Sequence, residues 1–436
     1  MTRLPRRFMA LALISLMLGA TAQAQMGHVL DAVGAINQSM GGAGTALPLD
    51  SIGALHWNPA SIRGLGHSEV AFAFTAFAPD TSLASRVDAN AFGPGLPAAP
   101  MSGVTDSNTG VSPIPSLAVV SQIADSPWSV GLGGFAIGGF GVDFASSATN
   151  PLLTPQPPDG IGFGAIYSQF QLMQFCPTVA RSLTDHLSIG FSPTFNWATL
   201  AIDPFSAATP NADGRYPSAA HGDSAWGLGF QAGIYYEGPS GWNLGLSYKS
   251  PQWFEPFSFN SADATGGPRR LSMKLDYPQI ISLGVARRLT PDIAIACDVR
   301  HIDYQNTDGF QQAGFDATGA VTGFGWSSIW TVSTGAELTL TSRLKWRTGY
   351  TFNQCPIGSP QMFYNSPAPA VVQHHLSTGA TYDMGSGWLC TAAYHHGFAN
   401  SASGPWAHPL FGEIPGTMVR ATLATHGFVL GINRRF

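Results

Sequence analysis

Beyond about residue 67 the chain alternates between segments in which apolar and polar residues exchange at every position and connectors rich in turn-forming residues. A period of two is typical of β-strands whose two faces meet different surroundings. Fourteen such segments occur, and an even number of antiparallel strands can close into a barrel. The predicted strands are 68–78, 113–124, 128–144, 165–181, 187–200, 225–238, 242–255, 271–289, 293–306, 327–340, 344–355, 371–383, 388–398 and 418–436.

The connectors are of two kinds. Short ones at 124–127, 238–241, 290–292 and 384–387 contain Gly, Pro, Asp and Ser, which favour tight turns. The long ones are expected near 79–112, 145–164, 201–224, 256–270, 307–326, 356–370 and 399–417. Short turns at one rim and longer loops at the other indicate a membrane barrel, and the long connectors do not suit a compact soluble sandwich.

Both ends of the chain carry features of export. Arg3, Arg6 and Arg7 precede an apolar run and then Ala22-Gln23-Ala24, which predicts a signal peptide over residues 1–24. No later segment has the roughly 18 consecutive apolar residues of a spanning helix, so in a membrane the chain must span as strands. The last predicted strand ends on Phe436, a residue that the barrel-assembly machinery is expected to recognise. These features together predict the bacterial outer membrane, with outer-membrane lipid around the barrel.

The two faces of each strand indicate which side meets lipid. In the eleventh strand Trp346 and Tyr350 share one face, and Lys345 and Arg347 share the other. A charge facing lipid near mid-membrane costs about 2–4 kcal/mol, so the polar faces should line the lumen. Four lumen cations are candidates for binding a ligand carboxylate: Lys249, Arg300, Lys345 and Arg347. The alternative is that each only pairs with a carboxylate across the lumen, as buried charges usually do.

Composition supports a membrane protein and excludes several other classes. Charged residues make up 10% of the chain, against about 25% in typical soluble domains. The net charge of −5 and the absence of a basic run argue against nucleic acid as a partner. No Gly-x-Ser-x-Gly, HExxH or Walker sequence occurs, so no enzyme, cofactor or metal is predicted.

A non-alternating stretch rich in glycine and alanine precedes the first strand, over residues 25–66. It contains Gly-Gly-Ala-Gly-Thr-Ala at 41–46, then Asp50, and then Asn58-Pro59-Ala60. This run resembles the hatch of the FadL family of outer-membrane transporters for fatty acids, toluene and other hydrocarbons. The similarity continues along the whole chain, through Pro115-Ser116, 176–180, 245–250 and 347–350.

The resemblance implies an all-β fold, a 14-stranded antiparallel transmembrane β-barrel with an N-terminal hatch. Residues 1–24 would be the signal peptide, 25–66 the hatch inside the lumen and 67–436 the barrel. The implied function is passive transport of long-chain fatty acids or other hydrophobic compounds, captured at the outer loops and released sideways at a kinked third strand. Asn58, Pro59 and Ala60 would face that kink, and a monomer is expected.

The third predicted strand is crowded with glycines. Glycine inside a strand weakens the ladder and often marks a bulge or a bend. The candidates for a lateral opening are Gly133, Gly134, Gly138, Gly139 and Gly141. Alternatively, these glycines only relieve crowding in a narrow lumen.

Four aromatic residues follow the seventh strand, namely Trp253, Phe254, Phe257 and Phe259. Exposed apolar clusters often mark binding surfaces, which makes this segment a candidate for first capture of a hydrophobic ligand. The competing interpretation assigns Trp253 and Phe254 to the aromatic girdle at the bilayer edge.

Two histidine pairs, His374-His375 and His395-His396, lie on the twelfth and thirteenth strands. Joining the strands at 384–387 places 375 opposite 395 and 374 opposite 396, near the outer rim. Such a cluster can bind a metal or sense pH, but the spacing supplies no third type of ligand, which favours interfacial histidines.

Two rival functions remain open. A general porin for polar solutes predicts an unplugged lumen lined by opposed charges, against which the hatch-like segment argues. An outer-membrane lipase would need a surface Ser/His site outside the known motifs. The sequence does not decide between a fatty acid and an aromatic hydrocarbon as substrate.

Overall fold

The computed structural model describes residues 26–436. The predicted signal peptide therefore lies outside the described residues. Within 26–436, no helix is both long and apolar enough to cross a bilayer.

Fourteen antiparallel strands close into a barrel, as the period of two predicts. The ring consists of β1 (Glu69–Val87), β2 (Ser112–Gln122), β3 (Trp128–Phe144), β4 (Ile166–Ser182), β5 (Leu187–Asp203), β6 (Ala219–Glu237), β7 (Trp242–Lys249), β8 (Ile280–Thr290), β9 (Ile293–Ile302), β10 (Ile329–Thr339), β11 (Leu344–Asn353), β12 (His374–Gly385), β13 (Trp388–His408) and β14 (Gly412–Arg435). Strands adjacent in the chain pair with each other, and β14 closes the ring on β1, from Glu69 opposite Arg435 to Val87 opposite Thr417.

Strand ends on the loop side differ from the prediction. β1, β13 and β14 are longer than expected, and Met101–Asp106 adds a short strand to the end of β1. Residues Phe257–Ala262 and Pro268–Met273 pair as a separate hairpin. The predicted eighth strand at 271–289 therefore begins only at Ile280, because the chain breaks after this hairpin and passes through a proline at 278.

The predicted faces are confirmed. Trp330 is 54% exposed and Phe428 60%, and both lie on the outer surface. Thr331 and Ser333, on the other face of β10, are fully buried. The barrel thus has an apolar outer surface and a polar inner one, which matches lipid outside and a protein-filled lumen inside.

Residues 26–66 form a hatch inside the barrel, and almost all of them are buried. The hatch contains helix α1 (Ala35–Ser39), helix α2 (Ser51–Trp57) and a 3₁₀ helix (Pro59–Leu65). Asp50 caps α2, since its side chain accepts a hydrogen bond from the Gly53 amide at 3.2 Å. Gly66, with a φ of 69°, provides the left-handed turn into β1.

The middle of the hatch is bound to the wall formed by β9–β11. Asp298 on β9 accepts hydrogen bonds from the Gly44 and Thr45 amides at 2.8 and 2.9 Å. Arg300 on the same strand donates to Asp298 at 2.6 Å and to the Gly42 carbonyl at 2.8 Å. Its guanidinium lies 3.6 Å from the centre of the Trp57 ring, a cation–π contact. This network fixes the hatch through two charges that are paired with each other.

Candidate functional site

β3 leaves its neighbour β2 half-way up the barrel. The two strands pair from Gln122 opposite Ser129 to Ser116 opposite Phe135, and no further pair joins them within the described residues. On its other edge β3 remains paired with β4 up to Phe144, with a bulge between Ala136 and Gly138. Between Phe135 and Asp143, β3 therefore has one edge free of the ladder, and above this stretch the Asp143 carbonyl accepts a hydrogen bond from the Asn108 amide at 2.8 Å.

Three residues of the hatch cover that free edge. The Leu30 amide donates to the Ile137 carbonyl at 3.0 Å, and the Gly139 amide donates to the His28 carbonyl at 2.8 Å. Val29 forms an antiparallel bridge with Gly138. We call residues 28–30 the seal segment, because they satisfy backbone groups of β3 that β2 leaves unpaired.

The glycines of β3 differ in their surroundings. A methyl group at Gly138 would lie 2.6 Å from the His28 carbonyl oxygen, so only glycine allows the seal segment to lie this close. At Gly134, in the part paired with β2, a methyl group would meet only the Phe175 ring, at 3.4 Å. Gly133 lies beside Cys176, and Gly141 pairs with a residue of β4. The predicted kink is thus centred on residues 136–139.

β2 carries prolines where β3 departs from it. Pro113 and Pro115 lie in the stretch of β2 that pairs with β1 alone. Proline has no N–H, so this part of β2 offers fewer donors to any neighbouring strand. The gap between β2 and β3 is therefore built into both strands.

The seal segment ends in a cluster of aromatic side chains above the hatch. His28 stacks on Phe310 at 4.7 Å between ring centres, and Trp326 packs against Phe310 at the same distance. The Tyr304 hydroxyl donates to the Met26 carbonyl at 2.6 Å and accepts from the His28 amide at 3.0 Å. We call the following residues the aromatic cluster: His28, Phe140, Phe170, Phe257, Tyr277, Tyr304, Phe310, Phe324 and Trp326.

His28 is uncharged in this environment. Burial lowers the pKa of its ring to about 3, and neither ring nitrogen has a hydrogen-bond partner in the described chain. The side chain thus packs as one more apolar ring. A hydrophobic ligand could replace it without losing a charge interaction.

The hatch motif lies elsewhere than expected. The Asn58 side chain donates to the carbonyls of Thr45 in the hatch and Ile234 on β6, both at 3.0 Å, and accepts from the Ala60 amide at 3.1 Å. The motif packs against Gly190 of β5 and Gly233 of β6, where side chains would collide with it. The prediction that Asn58, Pro59 and Ala60 face the kink of β3 is wrong, because the glycines of β5 and β6 provide the closer wall and residues 28–30 occupy the kink.

Three of the four candidate cations are ion-paired. Arg300 contacts Asp298 at 2.6 Å, and Lys345 and Arg347 contact Glu337 at 3.1 and 2.7 Å. Lys249 is different: it is buried, it donates to the Gln174 side chain at 3.3 Å, and no carboxylate within the described chain lies within ion-pairing distance. Pairing therefore accounts for the first three, and Lys249 is the one of the four candidates without a carboxylate partner in the described chain.

The predicted capture segment is largely buried. Phe254, Phe257 and Phe259 are at most 4% exposed, and the last two pack against Phe170 and Phe205. The hairpin at 257–273 turns these rings inward, so their predicted exposure is wrong. Trp253 is 50% exposed beside Leu228 on the outer surface, as the girdle interpretation expected, but Phe254, which that interpretation also placed at the bilayer edge, is buried.

The outer loops provide a different apolar surface. A groove of about 140 Å³ is lined by the rings and aliphatic side chains of several long loops, and we call it the outer groove. Its lining includes Phe92, Ile161, Phe163, Phe363 and Trp406. These residues come from three loops and from the outer end of β13, and their spacing in the sequence gave no sign that they would meet.

The histidine pairs divide between the two faces of the wall. The predicted register is wrong by two residues: the turn is centred on Ser386 and Gly387, with Gly385 opposite Trp388, so His375 lies opposite Gly397. His375 and His395 still share the inner face, where their rings stack at 5.3 Å and both are buried. His374 is exposed and contacts the Tyr350 hydroxyl at 2.6 Å, as expected of an interfacial residue.

The sequence did not indicate the seal segment. Its contacts join Leu30 to Ile137 and His28 to Tyr304, residues more than one hundred positions apart. Asp31, which lies 2.8 Å from His395, was missed for the same reason. No local pattern carries this information, although the glycines of β3 indicated where something must approach closely.

A family model described as outer membrane protein transport protein (OMPP1/FadL/TodX) matches residues 16–435. Among solved structures, a FadL homologue of Pseudomonas aeruginosa superposes with a TM-score of 0.71 at 16% identity, covering 94% of this chain and 100% of the other. The toluene transporter TodX of Pseudomonas putida gives 0.67 at 17% identity, over 93% and 99%. At such identities these structures establish the fold alone.

A long-chain fatty acid transport protein of Shigella flexneri is 23% identical over 246 residues, which cover 51% of this chain and 52% of that protein. The chain thus spans about half the length of this curated relative in the alignment. The matching family is one of transport proteins, which agrees with the expectation that the chain is not an enzyme. The family match over almost the whole length and the closed fourteen-stranded barrel with its lumen hatch show that the chain belongs to the OMPP1/FadL/TodX family of bacterial outer membrane transport proteins.

Proposed function

We propose that this protein transports hydrophobic small molecules passively across the outer membrane and releases them sideways between β2 and β3. The observation that carries the proposal is the free edge of β3 above Phe135, covered by the seal segment through two backbone hydrogen bonds. Moving three hatch residues opens this edge, and no strand pair of the barrel has to break. The exit costs little because the ladder ends there already.

The proposed route begins at the outer groove, where apolar loop side chains offer first contact with the ligand. It continues through the aromatic cluster, in which His28 is the ring contributed by the hatch. A ligand that displaces His28 also pulls on Val29 and Leu30, which adjoin it in the chain. Ligand binding and opening of the seal segment are therefore coupled in this proposal.

Lys249 supports a carboxylate-bearing substrate, such as a long-chain fatty acid, over a neutral aromatic hydrocarbon. A buried ammonium without a counter-charge is unfavourable, and a ligand carboxylate would supply that charge. The neighbouring His56 has no partner for either ring nitrogen within the described chain. Burial lowers the pKa of His56, and the charges of Lys249 and Arg300 lower it further, so the ring is neutral and able to donate a hydrogen bond to an anion.

A general porin is less well supported. Hatch residues fill the lumen and are almost all buried, and the charges of Arg300, Lys345 and Arg347 are used in ion pairs. A porin would keep such charges exposed to a water-filled pore.

The test is uptake of radiolabelled oleate and toluene by a transporter-deletion strain that carries this gene, together with ion conductance in planar bilayers. Hydrophobic uptake with little steady conductance supports the proposal. Large open conductance would indicate a porin, and release of free acids from phospholipid would indicate a lipase.

The substrate class is tested by Lys249→Met. Oleate uptake should fall at least about tenfold while toluene uptake stays unchanged, because one lost charge-assisted contact is worth about 1.5–3 kcal/mol. Lys345→Met is the matched control, since Lys345 is already paired with Glu337. Equal loss of oleate and toluene uptake would contradict a role for Lys249 in binding the carboxylate.

A further inference from the structure

Asp31 of the hatch lies next to two histidines of the barrel wall, and this cluster is outside the proposed transport route. Asp31 Oδ2 lies 2.8 Å from His395 Nε2 on β13. The ring of His375 on β12 stacks on that of His395. One ligand-capable atom from each of the three residues lies within 4.8 Å of the other two. The three side chains are 1–3% exposed, so bulk water does not satisfy them.

Several polar atoms at this point have no hydrogen-bond partner within the described chain. They are Asp31 Oδ2, His375 Nδ1, His395 Nε2 and Thr425 Oγ1. The contact between Asp31 and His395 is close, but it lacks hydrogen-bond geometry. Buried polar atoms are normally satisfied, and a missing ion is one of the recognised reasons when they are not.

The tautomer of His375 suits a ligand. Its Nε2 lies 3.0 Å from the Asn353 side-chain oxygen, an acceptor, so the proton belongs on Nε2. The lone pair of Nδ1 then points to the free side of the ring. Histidines that bind metals almost always donate their other N–H to such an oxygen.

A glycine lies next to Nδ1 of His375. His375 lies opposite Gly397, where a methyl group would come within 3.1 Å of Nδ1 and would collide with Thr425 Oγ1. Around a tetrahedral zinc ion, nitrogen and oxygen ligands lie roughly 3.3 Å apart, given bonds of about 2.0–2.2 Å. The present separations reach 4.8 Å, so binding an ion requires the three side chains to move closer together.

We propose that Asp31, His375 and His395 bind a divalent transition-metal ion, for which two imidazoles and one carboxylate make Zn²⁺ the best match. The ion joins the hatch to β12 and β13. Asp31 directly follows Leu30, whose amide binds the free edge of β3. A bound ion therefore holds the seal segment closed, a consequence that rests on the proposed transport function, whereas the metal site itself does not.

The experiment uses the full-length protein, purified in detergent and treated with a chelator that is then removed. Zn²⁺ binding is measured by isothermal titration calorimetry, and bound zinc is counted by mass spectrometry after gel filtration. One ion per chain is expected, with at least about a 100-fold weaker affinity in Asp31→Asn, His375→Gln and His395→Gln. Asn353→Ala, which removes only the partner of Nε2, should weaken binding by about 10- to 100-fold.

His374→Gln and His396→Gln are the matched controls, since these neighbours lie on the other face of the same strands. Both should bind zinc as the unchanged protein does. Circular dichroism and heat-modifiable migration on gels identify any variant that fails to fold. Absorption spectra of the unchanged protein with Co²⁺ provide a second readout of the metal site, and the band typical of tetrahedral Co²⁺ is expected. No stoichiometric zinc, or equal loss in the controls, overturns the proposal.

A separate measurement addresses the consequence for transport. In proteoliposomes that take up oleate, micromolar Zn²⁺ should slow uptake by the unchanged protein and leave Asp31→Asn unaffected. Zinc that binds at one ion per chain without slowing uptake overturns the clamping role. If no oleate uptake occurs at all, the transport proposal fails, and the calorimetric result still decides the metal site.

Discussion

The same hatch is attached to opposite walls of the barrel in two different ways. On the wall of β9–β11, Asp298 and Arg300 bind residues 42–45 through charge-assisted hydrogen bonds and a cation–π contact. At β3, residues 28–30 are attached by two neutral backbone hydrogen bonds and by ring contacts. Buried charge-assisted bonds are about twice as strong as neutral ones, so the first attachment is fixed and the second can be exchanged.

The glycines that let the hatch backbone lie close to the barrel wall also differ between the two regions. Gly335 and Gly349 on the fixed wall admit the hatch backbone at Met40 and Gly41 between strands that remain fully paired. Gly138 admits the seal segment at a strand edge that has already lost its neighbour. The hatch can therefore stay firmly anchored while the exit opens, because only the seal segment covers the exit.

The largest effect is expected from Asp298→Ala, which breaks the fixed attachment. It leaves Arg300 buried without its partner and removes the acceptor for Gly44 and Thr45, a loss of about 3–5 kcal/mol. Ion conductance in planar bilayers should rise as the hatch detaches. Lys345→Met serves as the control, at about 0–1 kcal/mol, because Lys345 is part-exposed and Glu337 keeps Arg347. Equal conductance in the two variants would contradict the anchoring role.

Gly138→Ala should act at the other wall. The new methyl group meets the His28 carbonyl at 2.6 Å, so the seal segment must move, at a cost of about 1–3 kcal/mol for overpacking. Uptake of a dilute hydrophobic dye should become faster and less dependent on ligand concentration. Gly134→Ala has room for its methyl group and should behave as the unchanged protein. Faster dye uptake in both variants would indicate that any substitution here disrupts the pairing of β3.

Tyr304→Phe tests how the start of the seal segment is held. Loss of the hydroxyl leaves the Met26 carbonyl and the His28 amide without their partner, which costs about 1–2 kcal/mol. Hydrogen exchange of residues 26–30 should accelerate. The matched control is Tyr277→Phe, since the Tyr277 hydroxyl has no partner within residues 26–436. Similar exchange in the two variants would show that ring packing alone holds the segment.

The smallest effect concerns pH. Burial, and then the charge of Glu69, raise the pKa of Asp50 to about 7, above its unfolded value. The group therefore stabilises the hatch fully at low pH, and this stabilisation is lost as pH rises through about 7, by roughly 1 kcal/mol between pH 6 and 8. Protection of the α2 amides, corrected for intrinsic exchange, should fall over this range. Asp50→Asn should abolish the change, and an identical fall in the variant would assign it to another group.

The barrel could be predicted from the sequence because its information is local. In β10, for example, the period of two fixes which side chains face lipid. The alternation does not extend to the outer loops, where both faces of a segment meet protein or water. This explains why the hairpin of Phe257–Ala262 was missed and why its rings were expected at the surface.

The candidate site was predictable only in part. The glycines of β3 indicated a bend, and the pairing of Arg300, Lys345 and Arg347 followed from the cost of buried charge. The position of the hatch in the lumen decides which of its residues reach the bend, and the sequence does not give that position. Asn58 was assigned to the wrong wall for this reason. The histidine register was wrong because the turn is centred on Ser386 and Gly387, later than expected, and the pattern of residues does not fix the centre of a turn.

The proposed release of the ligand between β2 and β3 requires the seal segment to move away from β3. Val29 is bridged to Gly138, so Leu30 lies opposite Ile137, and opposed residues of an antiparallel pair have Cα atoms about 4.5–5.5 Å apart, within the range of a disulfide. Cysteines at 30 and 137, in a background without the four native cysteines, lock the segment on oxidation. A disulfide between positions 299 and 332, which pair within the wall, is the control.

The decisive measurement is oleate uptake by these two disulfide proteins, oxidised and then reduced, with the extent of cross-linking determined on the same samples. If the seal segment must move to release the ligand, uptake should fall at least about tenfold in the oxidised 30–137 protein, recover on reduction and stay unchanged in the 299–332 control. Full cross-linking at 30–137 with unchanged uptake would contradict release between β2 and β3.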